Sequence, residues 1–215
     1  MLDGCRGLML PRMMSRNRTI CVYCGSRNGR NPNYEAAARK LGLDMADKNI
    51  GLVFGAGTYG IMGAVADAVV AGGGKVTGVI PDFLKNKEAN EADLKQFDEL
   101  IVTGDMHERK HIMFRKSGAF VALPGGIGTL EEIIEIMTWA QLGRHNRPMV
   151  LANIDGFWDP LLKLIDHMAG EGFLHTSHLV KPLVIDNAAN IVDAVLKAWE
   201  SIDRNGGDAE IIEKL

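Results

Sequence analysis

The sequence predicts an α/β fold in which a mainly parallel sheet is doubly wound, with helices on both of its faces. Short apolar, β-rich runs alternate with helical stretches along the chain, which is typical of βαβ units. Two of these runs, 121–124 and 148–152, are continuously apolar, as central strands covered on both sides should be. Together these observations indicate a Rossmann-like architecture.

The alternation also gives the bounds of each element. Strands are predicted at 19–24, 51–54, 75–80, 99–103, 119–123, 148–154 and 182–185. Helices are predicted at about 33–48, 61–72, 107–117, 129–142, 158–170 and 190–202. No linker, repeat or low-complexity segment interrupts the series, so we expect residues 19–202 to form one domain. A disordered leader at 1–18 and a frayed polar tail at 203–215 are expected outside it.

The composition excludes several classes of protein. A formal net charge of -3 argues against a nucleic-acid-coating role, which needs a strong basic excess. No apolar run approaches the ~20 residues of a membrane span, and the run at 8–10 is too short for a signal-peptide core. Three cysteines, an odd number, fit a reducing compartment. We therefore expect a cytoplasmic protein without membrane or nucleic-acid partners.

The first strand carries a C-x-x-C pattern in Cys21 and Cys24 and runs into the loop 25–27. Residues three apart on a strand point to opposite faces, so these thiols cannot hold one metal ion together. They are expected to be small core residues.

Two glycine-rich loops follow strands and open helices, at Gly55–Gly60 and Pro124–Thr129. Glycines let backbone N–H groups approach an anion closely, and a helix N-terminus adds a partial positive charge. Because ligands of open α/β sheets bind outside the carboxyl ends of the strands, a phosphate or nucleotide site is expected there. Its backbone contacts are expected from Gly25, Ser26, Gly55, Gly57, Gly125, Gly126, Ile127 and Gly128.

The loop 55–60 also matches the dinucleotide fingerprint G-x-G-x-x-G, and Asp82 follows at about the spacing of a ribose-binding acid. The fingerprint usually follows the first strand, however, and here it follows the second. A plain dinucleotide enzyme also needs no second glycine loop. An NAD(P)-dependent enzyme is therefore the less favoured alternative.

The helix predicted at 107–117 begins with His107–His111, which matches the zinc-protease pattern H-E-x-x-H. The pattern lies in the first turn after an apparent Asp105 cap, and the flanking cations Arg109 and Lys110 are unfavourable beside a metal dication. No metal is expected there.

Arg109 shares a helical stripe with Met106, Ile112 and Met113, on the side that should face the core. An unpaired buried charge is very costly, so this arginine needs an anionic partner. The partner is either a structural carboxylate or a ligand anion, and the position just after a strand end favours the ligand.

Glu132 has two interpretations. It stands three residues after Thr129, which would make a capping box for the helix at 129–142. It also shares a stripe with Ile136 and Trp139 beside the expected anion loop, so its carboxylate should be partly buried. A glutamate there can hold sugar hydroxyls or a water, and we favour the functional interpretation.

Two motifs together resemble one known family. Residues 124–132 match P-G-G-x-G-T-x-x-E, and residues 106–110 match its companion M-H-E-R-K. The chain is thus similar, over roughly residues 18–200, to the LONELY GUY family of cytokinin-activating phosphoribohydrolases. One departure is Ala56, where the family more often has glycine; a methyl group there should be tolerated.

The resemblance implies a Rossmann-like homodimer without metal or redox cofactor that hydrolyses adenosine 5′-monophosphates, N6-modified or not, to base and ribose 5-phosphate. Arg109 and Glu132 correspond to its catalytic pair, and Glu88 resembles its base-side glutamate. The nucleotide site is expected to include Lys110, Gly126, Ile127, Gly128, Thr129 and Thr138. Relatives have been labelled lysine decarboxylases, but the sequence shows no motif for a pyridoxal-bearing lysine.

The implied chemistry agrees with the residues. Cleavage of a ribosyl C1′–N bond passes through an oxocarbenium-like state, which the Glu132 carboxylate can stabilise while it orients water. Arg109 would anchor the nucleotide, and the loop at 125–129 would hold the 5′-phosphate. A non-catalytic nucleotide-binding protein with the same loops is the alternative, although binding alone would not need Glu132.

The helix at 130–142 is apolar around most of its circumference, which indicates burial on nearly all sides. A sheet covers only one side, so a partner subunit covering the other is plausible, given that the similar family dimerises.

Overall fold

The computed structural model describes residues 18–174 and 181–204. The predicted disordered leader at 1–18 lies outside these residues apart from Arg18. The predicted tail lies outside them too, except for Asp203 and Arg204. These two residues still belong to the last helix, which therefore extends beyond the predicted end at 202.

Seven strands form one sheet in the order β4-β3-β2-β1-β5-β6-β7, and every neighbouring pair is parallel. The strands are β1 (Thr19–Tyr23), β2 (Gly51–Phe54), β3 (Val76–Pro81), β4 (Glu99–Thr103), β5 (Ala119–Ala122), β6 (Met149–Ala152) and β7 (Leu183–Ile185). The prediction of a doubly wound parallel sheet is confirmed. The strand order reverses direction between β1 and β5, which opens a crevice at their carboxyl ends.

The helices cover the two faces of the sheet. They are α1 (Pro32–Asp47), α2 (Gly60–Ala71), α3 (Asp82–Glu88), α4 (Glu91–Leu94), α5 (Met106–Lys116), α6 (Ile127–Gln141), α7 (Asp159–Gly170) and α8 (Ile191–Arg204), with 3-10 turns at Ile154–Gly156 and Ala188–Asn190. None of the helices within the described ranges is long and apolar enough to cross a membrane.

Two apolar clusters hold these layers together, one on each face of the sheet. The first joins β1 to α1, α2 and α8 and contains Cys24; the second joins β1 to α5, α6 and α7 and contains Cys21. Both cysteines are free and buried. The prediction that Cys21 and Cys24 point to opposite faces as core residues is therefore confirmed.

The start of α6 differs from the predicted one. The helix begins at Ile127, with Gly126 as its N-cap in an extended conformation (φ -94°, ψ -159°) and no side-chain capping hydrogen bond. Because the helix begins two residues before Thr129, that threonine lies inside the first helical turn. The predicted capping box of Thr129 and Glu132 is therefore wrong, and the carboxylate of Glu132 is not needed to cap this helix.

Candidate active site

A cavity of about 350 Å³ opens at the carboxyl ends of β1, β2 and β5, where the strand order reverses. Most of the residues predicted to contact a nucleotide line it. These are Gly25, Ser26, Gly55, Glu88, Arg109, Gly126, Ile127, Gly128, Thr129 and Glu132. The structure therefore brings together in one cavity the two glycine loops and both candidate catalytic side chains.

Arg109 reaches the cavity from the first turn of α5, and only 6% of its surface is exposed. Its Nη2 donates to the backbone oxygen of Gly55 at 3.3 Å, and its Nη1 contacts the sulfur of Met106 at 3.7 Å. The buried Nε has no hydrogen-bond partner, and no carboxylate of the described residues forms an ion pair with this guanidinium. A buried cation so poorly satisfied is suited to a ligand that supplies acceptors or negative charge.

Gly55 makes room for this arginine. A Cβ atom at Gly55 would lie 1.7 Å from Nη2 of Arg109, which no side chain can accommodate without moving the guanidinium. The absence of a side chain at Gly55 thus allows the Gly55 carbonyl to hold Arg109 at the cavity wall. The sequence predicts Gly55 only as a backbone contact to substrate, and its loop pattern gives no sign of this supporting role.

Glu132 lies on the turn of α6 that faces the cavity, and its side chain is partly buried, as predicted. Burial raises the pKa of its carboxyl from the ordinary 4.5 to about 7. The positive charges of Arg109 and Lys110 oppose this increase in pKa. The negative charges of Glu131 and Glu88 add to it. A carboxyl group with a pKa near neutrality is half ionised at physiological pH and exchanges its proton readily, which is typical of catalytic carboxylates.

The loop 25–27 after β1 and the glycine loop after β5 are tied together through their backbones. Gly25 donates its N–H to the Pro124 oxygen at 3.2 Å. A Cβ at Gly125 would meet the Thr129 hydroxyl at 2.1 Å and the Gly25 nitrogen at 2.9 Å, so a glycine is required at Gly125. Since α6 has no side-chain cap, the N–H groups of its first turn remain available to an anion in the cavity.

Helices α3 and α4 were not predicted, and α3 supplies one wall of the cavity through Leu84 and Glu88. The backbone oxygen of Glu88 accepts a hydrogen bond from the Thr58 N–H at 2.9 Å, and the Thr58 hydroxyl accepts from the Asn90 N–H at 2.9 Å. These bonds fix the end of α3 against the loop after β2, which holds the Glu88 segment beside the cavity.

The apolar part of the lining was also missed by the sequence analysis. Met62 from α2, Leu84 from α3 and Met106 from α5 line the cavity with Tyr23 and Cys24 of the β1 end. The apolar periodicity of α2 and α5 indicates burial at Met62 and Met106 but does not distinguish a core from a cavity wall.

Four predicted contact residues do not line the cavity. Lys110 directs its ammonium to Glu131 and Glu135 on α6, at 2.5 and 3.1 Å. Thr138 is exposed, and its hydroxyl donates to the Ile134 oxygen at 2.8 Å. The other two are glycines with packing roles: Gly125, described above, and Gly57, where a Cβ would lie 2.8 Å from the Met62 sulfur.

The H-E-x-x-H pattern serves to begin α5. The Asp105 carboxylate accepts from the Glu108 N–H at 2.8 Å, which confirms the predicted cap, and the Glu108 carboxylate accepts from the Gly104 N–H at 2.8 Å. Across residues 18–174 and 181–204, no three His, Cys, Asp or Glu side chains are grouped so that they could hold a metal ion. The helix start thus accounts for Glu108 without a metal.

Comparison with known proteins gives matches over most of the chain. The family described as "Possible lysine decarboxylase" matches residues 62–195. The probable cytokinin riboside 5′-monophosphate phosphoribohydrolase LOGL9 of Oryza sativa subsp. japonica is 48% identical over 164 residues, which cover 76% of this chain and 71% of the relative. The cytokinin riboside 5′-monophosphate phosphoribohydrolase LOG7 of Arabidopsis thaliana is 44% identical over 204 residues, 88% of this chain and 92% of the relative.

Among solved structures, the molybdenum cofactor carrier protein of Chlamydomonas reinhardtii superimposes with a TM-score of 0.63 at 22% identity, over 85% of this chain and 98% of that chain. The molybdenum cofactor binding protein of Rippkaea orientalis gives a TM-score of 0.60 at 20% identity, over 83% and 95% of the two chains. At this level of identity the two structures show a shared fold.

Proposed function

We propose that this chain, which belongs to the LONELY GUY (LOG) family of cytokinin riboside 5′-monophosphate phosphoribohydrolases, hydrolyses the N-glycosidic bond of adenosine 5′-monophosphates with or without an N6 substituent. The products are the free base, adenine or a cytokinin, and ribose 5-phosphate. The observation that supports this proposal most directly is the presence of Arg109 and Glu132 in one cavity beside the uncapped start of α6.

The reaction breaks the bond between C1′ of the ribose and a ring nitrogen of the base. The bonding electrons leave with the base, which gains a proton, while a water oxygen bonds to C1′ and loses one. C1′ becomes electron-poor as the bond lengthens, so an ionised carboxylate beside it stabilises the transition state. We assign this role to Glu132, together with orientation of the attacking water.

Arg109 and the glycine loops bind the rest of the nucleotide in this proposal. The 5′-phosphate occupies the start of α6, where the free N–H groups of residues 126–129 and the helix dipole attract a dianion. The unsatisfied Nε of Arg109 then finds an acceptor on the nucleotide and fixes the ribose against Glu132. The wall formed by Met62, Leu84 and Met106 offers the apolar surface that a purine base needs.

The same helix supports a homodimer. Ile127 at the start of α6, which also lines the cavity, is 81% exposed, and Leu142, just after the helix end, is 68% exposed, whereas Ile133, Ile136 and Met137 pack in the core. Thr138 lies between them in the sequence, is also exposed, and does not line the cavity of its own chain. A second copy of the chain covering this side would bury the apolar side chains and bring partner residues towards the site.

Base release tests the proposed activity. Purified protein is incubated with AMP, with N6-isopentenyladenosine 5′-monophosphate and with adenosine, and the free base is measured by chromatography. We expect base from at least one of the two nucleotides and much less from adenosine, which lacks the phosphate that α6 is proposed to bind. Tight binding of both nucleotides without any release would instead favour a nucleotide-binding protein.

A further inference from the structure

The ammonium of Lys110 links the helices that carry the two proposed catalytic residues. Lys110 follows Arg109 on α5, and its side chain is only 11% exposed. It contacts Glu131, which precedes Glu132 on α6, and Glu135 one turn further along. One cation thus joins the second turn of α5 to the second and third turns of α6.

This ion-pair group differs from an ordinary surface salt bridge. Exposed pairs contribute little because both partners are solvated when they separate. Here the lysine is largely buried, although Glu131 is half exposed and Glu135 is 25% exposed, and loss of the lysine charge would leave both carboxylates on α6 without their counter-ion. The nearer of these, Glu131, also lines the cavity with Glu132.

The charged groups facing Glu132 come from three helices. Arg109 and Lys110 lie on α5, Glu131 on α6 itself, and Glu88 on α3. The β1 strand beneath contributes the neutral side chains of Cys21, Tyr23 and Cys24, whose pKa values burial raises. Two cations and two anions therefore surround Glu132. Of the two cations, Lys110 is the one that forms ion pairs with carboxylates of α6 within the described residues.

We propose that Lys110 is a positioning residue for the reaction: its bridge to Glu131 and Glu135 holds α5 on α6 with Arg109 facing Glu132, and offsets the negative charge that Glu131 places beside Glu132. This inference rests on the proposed function, and it gives Lys110 a role different from the direct substrate contact that its motif predicts. Lys110 lowers the pKa of Glu132 and Glu131 raises it, so substitutions at the two positions shift that pKa in opposite directions.

The test is a titration of the Glu132 carboxyl by NMR on the full chain carrying ¹³C-labelled glutamate, with the signal assigned by its loss in Glu132→Gln. Lys110→Met is expected to move the midpoint up by about 0.5–1 pH unit, because it removes a positive charge that lowers the pKa of Glu132, and this is the order of a partly solvated charge–charge interaction. Glu131→Gln is expected to move it down by a similar amount. The double variant should titrate near the wild type, and Lys110→Arg should restore both the bridge and the midpoint.

The pH profile of kcat/KM for AMP gives a second readout. With a higher midpoint, less Glu132 is ionised at pH 6.5, so Lys110→Met should lose about 3- to 8-fold in kcat/KM there and recover near pH 8.5. An unshifted titration in both Lys110→Met and Glu131→Gln overturns the proposal. So does a KM raised equally at every pH in Lys110→Met, since a direct contact with substrate predicts that result.

The two proposals fail in distinguishable ways. The titration needs no substrate, so it tests the role of Lys110 even if no base is released from AMP. If Lys110→Met does not fold, Glu131→Gln still tests the inference, because it must shift the Glu132 midpoint downwards.

Discussion

The side chain of Glu132 is partly buried near the charged groups of Arg109, Glu131, Lys110 and Glu88, and burial raises the pKa of its carboxyl to about 7. Since the proposed mechanism needs the ionised form, kcat/KM for AMP should rise about tenfold per pH unit well below 7 and level off above pH 8. A buffered series from pH 5 to 9 measures this. A profile that is half-maximal near pH 6 and already level near pH 7 would instead be assigned to the second ionisation of the substrate phosphate, at about 6.

The same raised pKa has a consequence for stability. An unfolded chain releases this proton near 4.5 and the folded protein near 7, so the folded state loses stability as pH rises between those values. The cost is absent below pH 4.5 and complete above 7. Glu132→Gln should therefore be more stable than the wild type at pH 8 by roughly 1–3 kcal/mol, with the difference disappearing towards pH 4.5. Urea unfolding at both pH values measures it; an equal difference at both would contradict the account.

Gly55 allows a third test at the residue scale. Gly55→Ala places a methyl group where the Arg109 guanidinium lies, so base release should fall at least about 100-fold while the circular dichroism spectrum stays close to that of the wild type. Gly170→Ala is the matched control, because a Cβ at Gly170 meets nothing within 4 Å. Full activity in Gly55→Ala would show that the position of Arg109 is not critical.

The contacts of individual side chains were harder to predict from the sequence than the elements or the fold. The sequence correctly indicated that Arg109 is buried and that Glu132 is partly buried, because both follow from helical periodicity. It did not reveal that Lys110 turns to α6 instead of the cavity, since that depends on how two helices separated by a strand pack together. The sequence also predicted that the methyl group of Ala56 is tolerated in the glycine loop after β2. The structure shows that this buried residue adopts a positive φ of 59°, a backbone conformation that is unfavourable for a residue with a side chain.

At the scale of the elements, the strands were predicted to within about two residues. Buried parallel strands are continuously apolar and are bounded by glycine, proline or polar residues, so their limits are visible in the sequence. The helices α3 and α4 were missed because they are short and largely polar, with little apolar periodicity. The start of α6 was placed late because Thr129 resembles an N-cap, whereas Gly126 in an extended conformation begins the helix.

At the scale of the elements, the testable prediction concerns the side of α6 where Ile127 and Leu142 are exposed. If a second copy covers it, a charged residue there should weaken the dimer, because burying an unpaired charge is costly. We expect the wild type to elute as a dimer in light-scattering chromatography and Leu142→Glu to shift towards monomer. Leu164→Glu, at an exposed leucine of α7, is the matched control. A monomeric wild type at micromolar concentration would contradict the proposed homodimer.

At the scale of the whole molecule, the topology explains why the site forms where it does. The reversal of strand order between β1 and β5 leaves a crevice that no crossover covers. The glycine loops after β1, β2 and β5 and the first turns of α5 and α6 all reach this crevice. The alternation of strands and helices predicted the class of fold, and placing function at strand ends predicted the cavity, but the strand order itself came only from the structure.

The most direct test of the central claim is base release from AMP by the wild type, Glu132→Gln and Glu200→Gln, with AMP binding measured in parallel by calorimetry. Glu200 lies on the exposed side of α8 and serves as the matched control. We predict that Glu132→Gln binds AMP but releases adenine at least about 100-fold more slowly, while Glu200→Gln behaves as the wild type. Release by Glu132→Gln at the wild-type rate would contradict the assignment of the reaction to this carboxylate.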